Sequence, residues 1–302
     1  MCLDKIHEEC GVFGIYTSQN SDVVTSTYVA LYALQHRGQE SCGIAVNDGG
    51  VIQSYRDAGL VNEVFTADVL KKLGSGNLAV GHVRYGTTGG EPRLNAQPIV
   101  VNHIKGCMAL AHNGNLTNDA ELREELELAG SIFHTTSDSE VISYIITKER
   151  LTAPSIEQAV NRAMDRLAGA YSLVIMSPKK LIAVRDPLGF HPLCIGEVDG
   201  GYVFSSESCA LTSIGAKFLR DVDPGEIVYV DDSGLHRIRD HCDEQKKALC
   251  VFEFIYFARP DSVLDGSSVH NARLRAGAFL ALEHPVQADV VIGAPDSGID
   301  AA

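Results

Sequence analysis

Cys10-Gly-Val-Phe-Gly-Ile15 sets a thiol directly before a run with no polar side chain. A run that is apolar at both alternating positions reads as a strand buried on both faces. Similar runs recur at 11–16, 43–47, 51–56, 78–85, 107–112, 172–176, 181–185, 193–197, 202–205 and 227–230. Three joins are hairpin-like: Asp48-Gly49-Gly50, Pro178-Lys179-Lys180 and Asp199-Gly200-Gly201. The sheets are therefore largely antiparallel. Between them, Ser137-Asp-Ser-Glu140 and Ser155-Ile-Glu-Gln158 are capping boxes, each followed by apolar residues at helical spacing. Residues 27–35 and 118–128 are also helical by pattern. Sheets covered on both faces, with helices outside, predict an α/β protein built as a four-layer α/β/β/α sandwich.

Composition narrows the function. The 302 residues carry 25 Lys and Arg against 39 Asp and Glu, a net charge of −14. An acidic surface repels phosphate backbones and anionic lipid, which argues against nucleic acid or membrane as partner. The apolar and charged fractions, 45% and 21%, are those of a globular chain and exclude disorder. The eight cysteines show no C-x-x-C pair, and the polar start Met1–Cys10 is no signal peptide. We read a cytoplasmic protein with reduced thiols.

The pattern changes after residue 240. Residues 240–247 are charged, and Arg259-Pro260-Asp261 with Asp265-Gly266 marks irregular chain. A helix is predicted over 272–283, a strand over 290–293 and a turn at Pro295-Asp296-Ser297-Gly298. A βα unit begun here cannot bury its own faces, so we expect the sequence to be cut inside a second domain. The expected division is a leader at 1–9, a first domain at 10–240, a linker at 241–271 and the start of the second domain at 272–302.

Several residues offer chemistry. If the bond before Cys10 were cut, its thiol would gain a neighbouring α-amine. With pKa values of roughly 8.5 and 8, thiol and amine can share a proton, giving nucleophile and base in one residue. The plainer reading is a buried structural cysteine. Cys2 is a competing N-terminal thiol, but Leu3-Asp4-Lys5 after it lacks the glycine that close backbone approach requires. Arg84 at a strand end suits a carboxylate, or a structural ion pair. Asn113 and Gly114 could form an oxyanion hole from a side-chain amide and a backbone N–H, or an ordinary Asn-Gly turn. Asp138 in a first helical turn could bind an ammonium or complement the helix dipole.

As a set these residues say more. Glu9-Cys10-Gly-Val-Phe-Gly, Leu34-Gln-His-Arg37-Gly38-Gln39-Glu40, Gly81-His-Val-Arg84-Tyr85-Gly-Thr87, Ala111-His-Asn113-Gly114-Asn115-Leu and Thr136-Ser-Asp138-Ser-Glu140 occur in the order found in class II glutamine amidotransferases, which are N-terminal-nucleophile hydrolases. Within that class the chain most resembles the glutamine phosphoribosylpyrophosphate amidotransferase family. The leader before Cys10, the Gln35–Glu40 stretch and Phe252-Glu-Phe-Ile-Tyr-Phe-Ala-Arg259-Pro-Asp261-Ser262 carry that resemblance.

The resemblance implies a glutamine-dependent pentosyltransferase of purine synthesis. Cys10 would attack the glutamine side-chain amide, and Asn113 and Gly114 would hold the oxyanion. Arg84 would take the α-carboxylate and Asp138 the α-ammonium, with Thr87 nearby, while Arg37 and Gly38 would lie in a loop closing over the substrate. The ammonia would meet phosphoribosyl pyrophosphate and magnesium in a phosphoribosyltransferase domain, whose pyrophosphate turn would include Asp296 and Ser297. Members with a leader commonly carry a 4Fe-4S cluster, for which Cys250 matches one ligand position. Glutamine hydrolysis itself would need no cofactor. The family forms tetramers. An uncut leader would leave the Cys10 nitrogen an amide and the precursor inactive. The rivals are another class II enzyme, such as glucosamine-phosphate synthase, and a non-catalytic scaffold of the same fold.

Overall fold

The computed structural model describes residues 10–86 and 93–302. The proposed leader and Thr87 lie outside them. In chain order the strands of the sandwich are β1 (Gly11–Ser21), β2 (Ser41–Asp48), β3 (Val51–Ala58), β4 (Gly76–Arg84), β5 (Ile99–His103), β6 (Gly106–Leu116) and β7 (Gly169–Met176). They continue with β8 (Leu181–Arg185), β9 (Cys194–Val198), β10 (Gly201–Ser205), β11 (Lys217–Asp221), β12 (Ile227–Asp231) and β13 (Gly234–Ile238). They form one seven-stranded sheet in the order β11-β9-β10-β1-β4-β2-β3 and one six-stranded sheet in the order β13-β12-β8-β7-β6-β5. Their ladders are antiparallel throughout.

The helices are α1 (Val23–Ala33), α2 (Val61–Val64), α3 (Ala67–Leu73), α4 (Asp119–Leu128), α5 (Asp138–Arg150), α6 (Ile156–Met164), α7 (Ser208–Ser213) and α8 (Val269–Glu283). Alternation along the strands sorts the apolar side chains into three cores. Val12 and Tyr16 of β1 meet Val174 and Met176 of β7 between the sheets. Phe13 and Ile15 face the other way, onto Leu31 of α1 and Leu211 of α7. Leu173 and Ile175 of β7 face Ile142 and Ile145 of α5 and Val160 of α6. Three apolar layers between four layers of structure are the predicted α/β/β/α sandwich. Burial on both faces of each sheet is why the strands read as continuous apolar runs.

Some boundaries differ from expectation. The first helix begins at Val23 rather than residue 27, because the Asp22 side chain caps it by accepting from the Thr25 N–H at 2.9 Å. The last helix begins at Val269, capped by Ser268. The strand expected over 290–293 does not form. Val290, Val291 and Ile292 are 70–85% exposed, and among the described residues no strand runs beside them to complete a ladder. The expected linker is also more than a linker. Glu253, Ala258, Ser262 and Leu264 are buried against the first domain, around a π-helical turn at Glu253–Phe257 and a short hairpin, β14 (Val263–Leu264) with β15 (Ser267–Ser268). Punctuation by Pro, Asp and Gly marks irregular backbone, and irregular backbone packs well when its polar groups are satisfied.

Candidate active site

Cys10 stands half-buried immediately before β1. Pairing of Gly11 with Val83 and Val12 with His82 sets it beside the end of β4. Its Sγ lies 3.8 Å from the Tyr85 carbonyl oxygen. The buried His82 bridges to the second sheet: its Nε2 donates to the His112 carbonyl at 2.9 Å. A carbonyl only accepts, so the proton sits on Nε2. Burial drives the His82 pKa down to about 3, so the ring is neutral at physiological pH. This bridge brings β6, with His112, Asn113 and Gly114, to the Cys10 end of the sandwich.

Asn113 is fully buried, and neither side-chain atom has a hydrogen-bond partner among the described residues. A buried amide left unpaired costs about 1–3 kcal/mol, so it marks a site built for something else. Gly114 has φ +141°, and a Cβ there would lie 2.1 Å from the Ala170 carbonyl oxygen. Only glycine carries the chain through this point. Asn113 and Gly114 thus sit within a strand, not in the Asn-Gly turn that the dipeptide also allows.

Asp138 opens α5 against the end of β6 that carries His112, Asn113 and Gly114. Its carboxylate accepts the Leu116 N–H at 2.9 Å and lies 3.5 Å from His112 Nδ1. Burial pushes its pKa up. His112 and the N–H groups of Leu116 and Ser139 outweigh that and hold it below the usual carboxylate range. A fixed, ionised carboxylate at the same end of β6 as an unpaired amide suits a zwitterionic substrate.

Arg84 is buried at the end of β4 and pairs with Glu40 at 2.5 Å. The ion-pair reading of Arg84 is therefore realised in this structure, and a substrate carboxylate would have to share Arg84 with Glu40 or displace it. Glu40, 29% exposed, was not singled out from the sequence, although it belongs to the Gln35–Glu40 stretch.

Arg37 and Gly38, expected in a loop that closes over the substrate, are tied into the protein body in this structure. Arg37, in a 3₁₀ turn at Gln35–Arg37, is 1% exposed. Its guanidinium donates to Glu207, to both oxygens of Glu253 and, through Nε, to the Cys10 carbonyl at 3.0 Å. A Cβ on Gly38 would lie 2.6 Å from the Arg84 backbone, so this glycine lets two chain segments touch. A cationic side chain so committed has one N–H left for any substrate.

Asp296 and Ser297 lie in consecutive turns over 295–301. They line a cavity of about 510 Å³ together with His36, Arg37, Arg259 and Arg273. Cys250 is half-buried, and its N–H donates to the Phe190 carbonyl at 3.0 Å. Among the described residues no group of three or more His, Cys, Asp or Glu could hold a metal ion. An iron–sulfur cluster takes four ligands, so these residues do not by themselves fit one.

Comparison with known proteins agrees with this geometry. A family profile described as a glutamine amidotransferase domain matches residues 84–213. The chain is 47% identical to an amidophosphoribosyltransferase of Methanocaldococcus jannaschii, covering 96% of this chain and 64% of that protein. It is 50% identical to one of Synechocystis, covering 99% and 61%. The solved glutamine phosphoribosylpyrophosphate amidotransferase of B. subtilis, in complex with ADP and GMP, superposes with a TM-score of 0.90 at 42% identity, covering 97% of this chain and 62% of that one. Fold and site define a glutamine amidotransferase domain of the N-terminal-nucleophile type. Within that class the chain is similar to the amidophosphoribosyltransferases, and it spans a little over three-fifths of the length of these relatives. No helix among the described residues is long and apolar enough to cross a membrane.

Proposed function

We propose that the chain hydrolyses glutamine at Cys10 and that the protein it represents passes the ammonia to phosphoribosyl pyrophosphate, giving 5-phosphoribosylamine for purine synthesis. The observation that carries the glutamine half is the buried, unpaired amide of Asn113 at the Cys10 end of the sandwich. With Cys10 as the amino terminus, its thiol gives its proton to the α-amine and the sulfur attacks the substrate's side-chain carbonyl carbon. Asn113 Nδ2 and the Gly114 N–H receive the oxyanion. The intermediate collapses as the ammonium returns the proton to the leaving nitrogen. Ammonia departs and a glutamyl thioester remains. Water, deprotonated by the same amine, then releases glutamate.

Asp138 holds the substrate ammonium and Arg84 its carboxylate, with Glu40 swinging aside. The 42–50% identity to amidophosphoribosyltransferases supports the acceptor half. We also place the protein in the cytoplasm, as a homo-oligomer like its family. The test is paired glutamate and ammonia release from glutamine, followed by phosphoribosyl-pyrophosphate-dependent loss of the free ammonia in the full-length protein. Glutamate release without any coupling to phosphoribosyl pyrophosphate would reject the acceptor half alone.

A further inference from the structure

Cys10, the 3₁₀ turn and the segment after residue 250 meet in one buried ion-pair node. Arg37 spans it. Its Nε–H donates to the Cys10 carbonyl at 3.0 Å, and its two terminal nitrogens grip Glu253 at 2.9 and 2.8 Å. Arg37, Glu207 and Glu253 are all 1% exposed or less. Glu207 takes a third side of the guanidinium at 2.7 Å and also accepts from Ser262 Oγ and the Arg259 N–H. His36 and His191 reach Glu207 and Glu253 at 2.8 and 3.3 Å. So two carboxylates, one from α7's cap and one from the segment after residue 250, fix the orientation of a cation that holds the nucleophile's own carbonyl. Buried charges keep such geometry tightly, because an unpaired alternative is costly.

We propose that Glu253 is a positioning residue for the Cys10 nucleophile, acting through Arg37. It rests on the reading of Cys10 as the glutamine nucleophile. Glu253 touches no reacting atom. It sets the Arg37 plane, Arg37 sets the Cys10 carbonyl, and that carbonyl fixes where the thiol and α-amine point relative to the Asn113 amide. Docking of the 250–264 segment is thereby a condition for a correctly aimed thiol. Misplacement by about 1 Å costs a reaction of this kind roughly 100-fold.

The experiment compares wild type, Glu253→Gln and Ile182→Ala in the full chain, each with Cys10 as the amino terminus. Ile182→Ala removes core packing far from the node and controls for lost stability. For Glu253→Gln we expect glutaminase kcat to fall about 10- to 100-fold with KM for glutamine within about 3-fold of wild type. Ile182→Ala should lower Tm and leave kcat of the folded protein unchanged. If Glu253→Gln does not fold, Glu253→Asp keeps the charge and withdraws the oxygens, and should show the same kcat loss. An unchanged kcat, a loss confined to KM, or an equal kcat loss in Ile182→Ala overturns the proposal. Hydrogen–deuterium exchange of residues 10–13 is read on the same samples. Faster exchange there in the Glu253 variant, with β7 unchanged, supports the coupling even if wild type proves inactive and the glutaminase reading fails. Unchanged exchange at 10–13 overturns it.

Discussion

At Asn113 the side-chain amide is held out of water with neither atom bonded among the described residues, while Asp138, at the same end of β6, is ionised and fixed. These two residues divide the work between transition state and ground state. Asn113→Ala should lower kcat about 100- to 1,000-fold with little change in KM, the size expected for one oxyanion donor. It should cost little stability, since it deletes an unsatisfied buried group, and thermal unfolding of the same sample checks that. Asp138→Asn should instead raise KM for glutamine, because ammonium binding is made in the ground state as well. The Asp138 pKa is held below its ordinary 3.8, so the charged form persists down to and below that pH. Glutamine affinity should therefore not weaken between about pH 7 and 5 through this group. A KM that rises across that window in wild type but not in Asp138→Asn would contradict the assignment. Cys10, Arg84, Asn113, Gly114 and Asp138 were legible in the sequence because motif order carries them. Glu40, Glu207 and Glu253 were not, because a carboxylate's partner is chosen by tertiary approach. Arg37 and Glu253 are 216 residues apart in sequence and bonded in space.

Among the elements, the central strands announce themselves, and of the described edge strands only β3, read at 51–56, does so. β11 and β13 are half-exposed and carry Lys217, Arg220, His236 and Arg237, so no apolar run marks them. The opposite error arises at 290–292, where β-branched residues occur without a strand to pair with. β11 also supports the hairpin β14–β15. Asp221 at its end faces Asp265 and Arg185, and burial followed by the Asp265 charge raises its pKa from 3.8 to about 6. A raised carboxyl pKa means the folded state binds the proton more tightly, so stability falls as pH rises from about 3.8 to about 6 and stays lowered above. Asp221→Asn removes that loss. It should stabilise the protein at pH 7 by up to about 3 kcal/mol, less where solvent screens the site, and the gain should shrink towards zero near pH 4. Denaturant unfolding of both proteins at the two pH values checks this. A gain that is the same at both would show that ionisation is not its source.

For the whole molecule, the sandwich brings residues from β1, β4, β6 and α5 to one end, and the segment after residue 250 closes onto that end through Arg37 and, further along, through Arg185 with Asp265. The four layers could be read from apolar periodicity alone. That the segment expected as a linker is part of the packed body could not, since its few buried residues are scattered among charges. An intact bond before Cys10 would make its nitrogen an amide, without basicity, so protein retaining residues 1–9 should release no ammonia from glutamine until it is cut. The central claim is that Cys10 is the glutamine nucleophile, and the most direct measurement is labelling with a glutamine-analogue electrophile, located by peptide mass spectrometry. With Cys10 as the amino terminus, the account predicts one label per chain, on Cys10, blocked by excess glutamine and lost in Cys10→Ala. No label, or a glutamine-protected label on another cysteine, would contradict it.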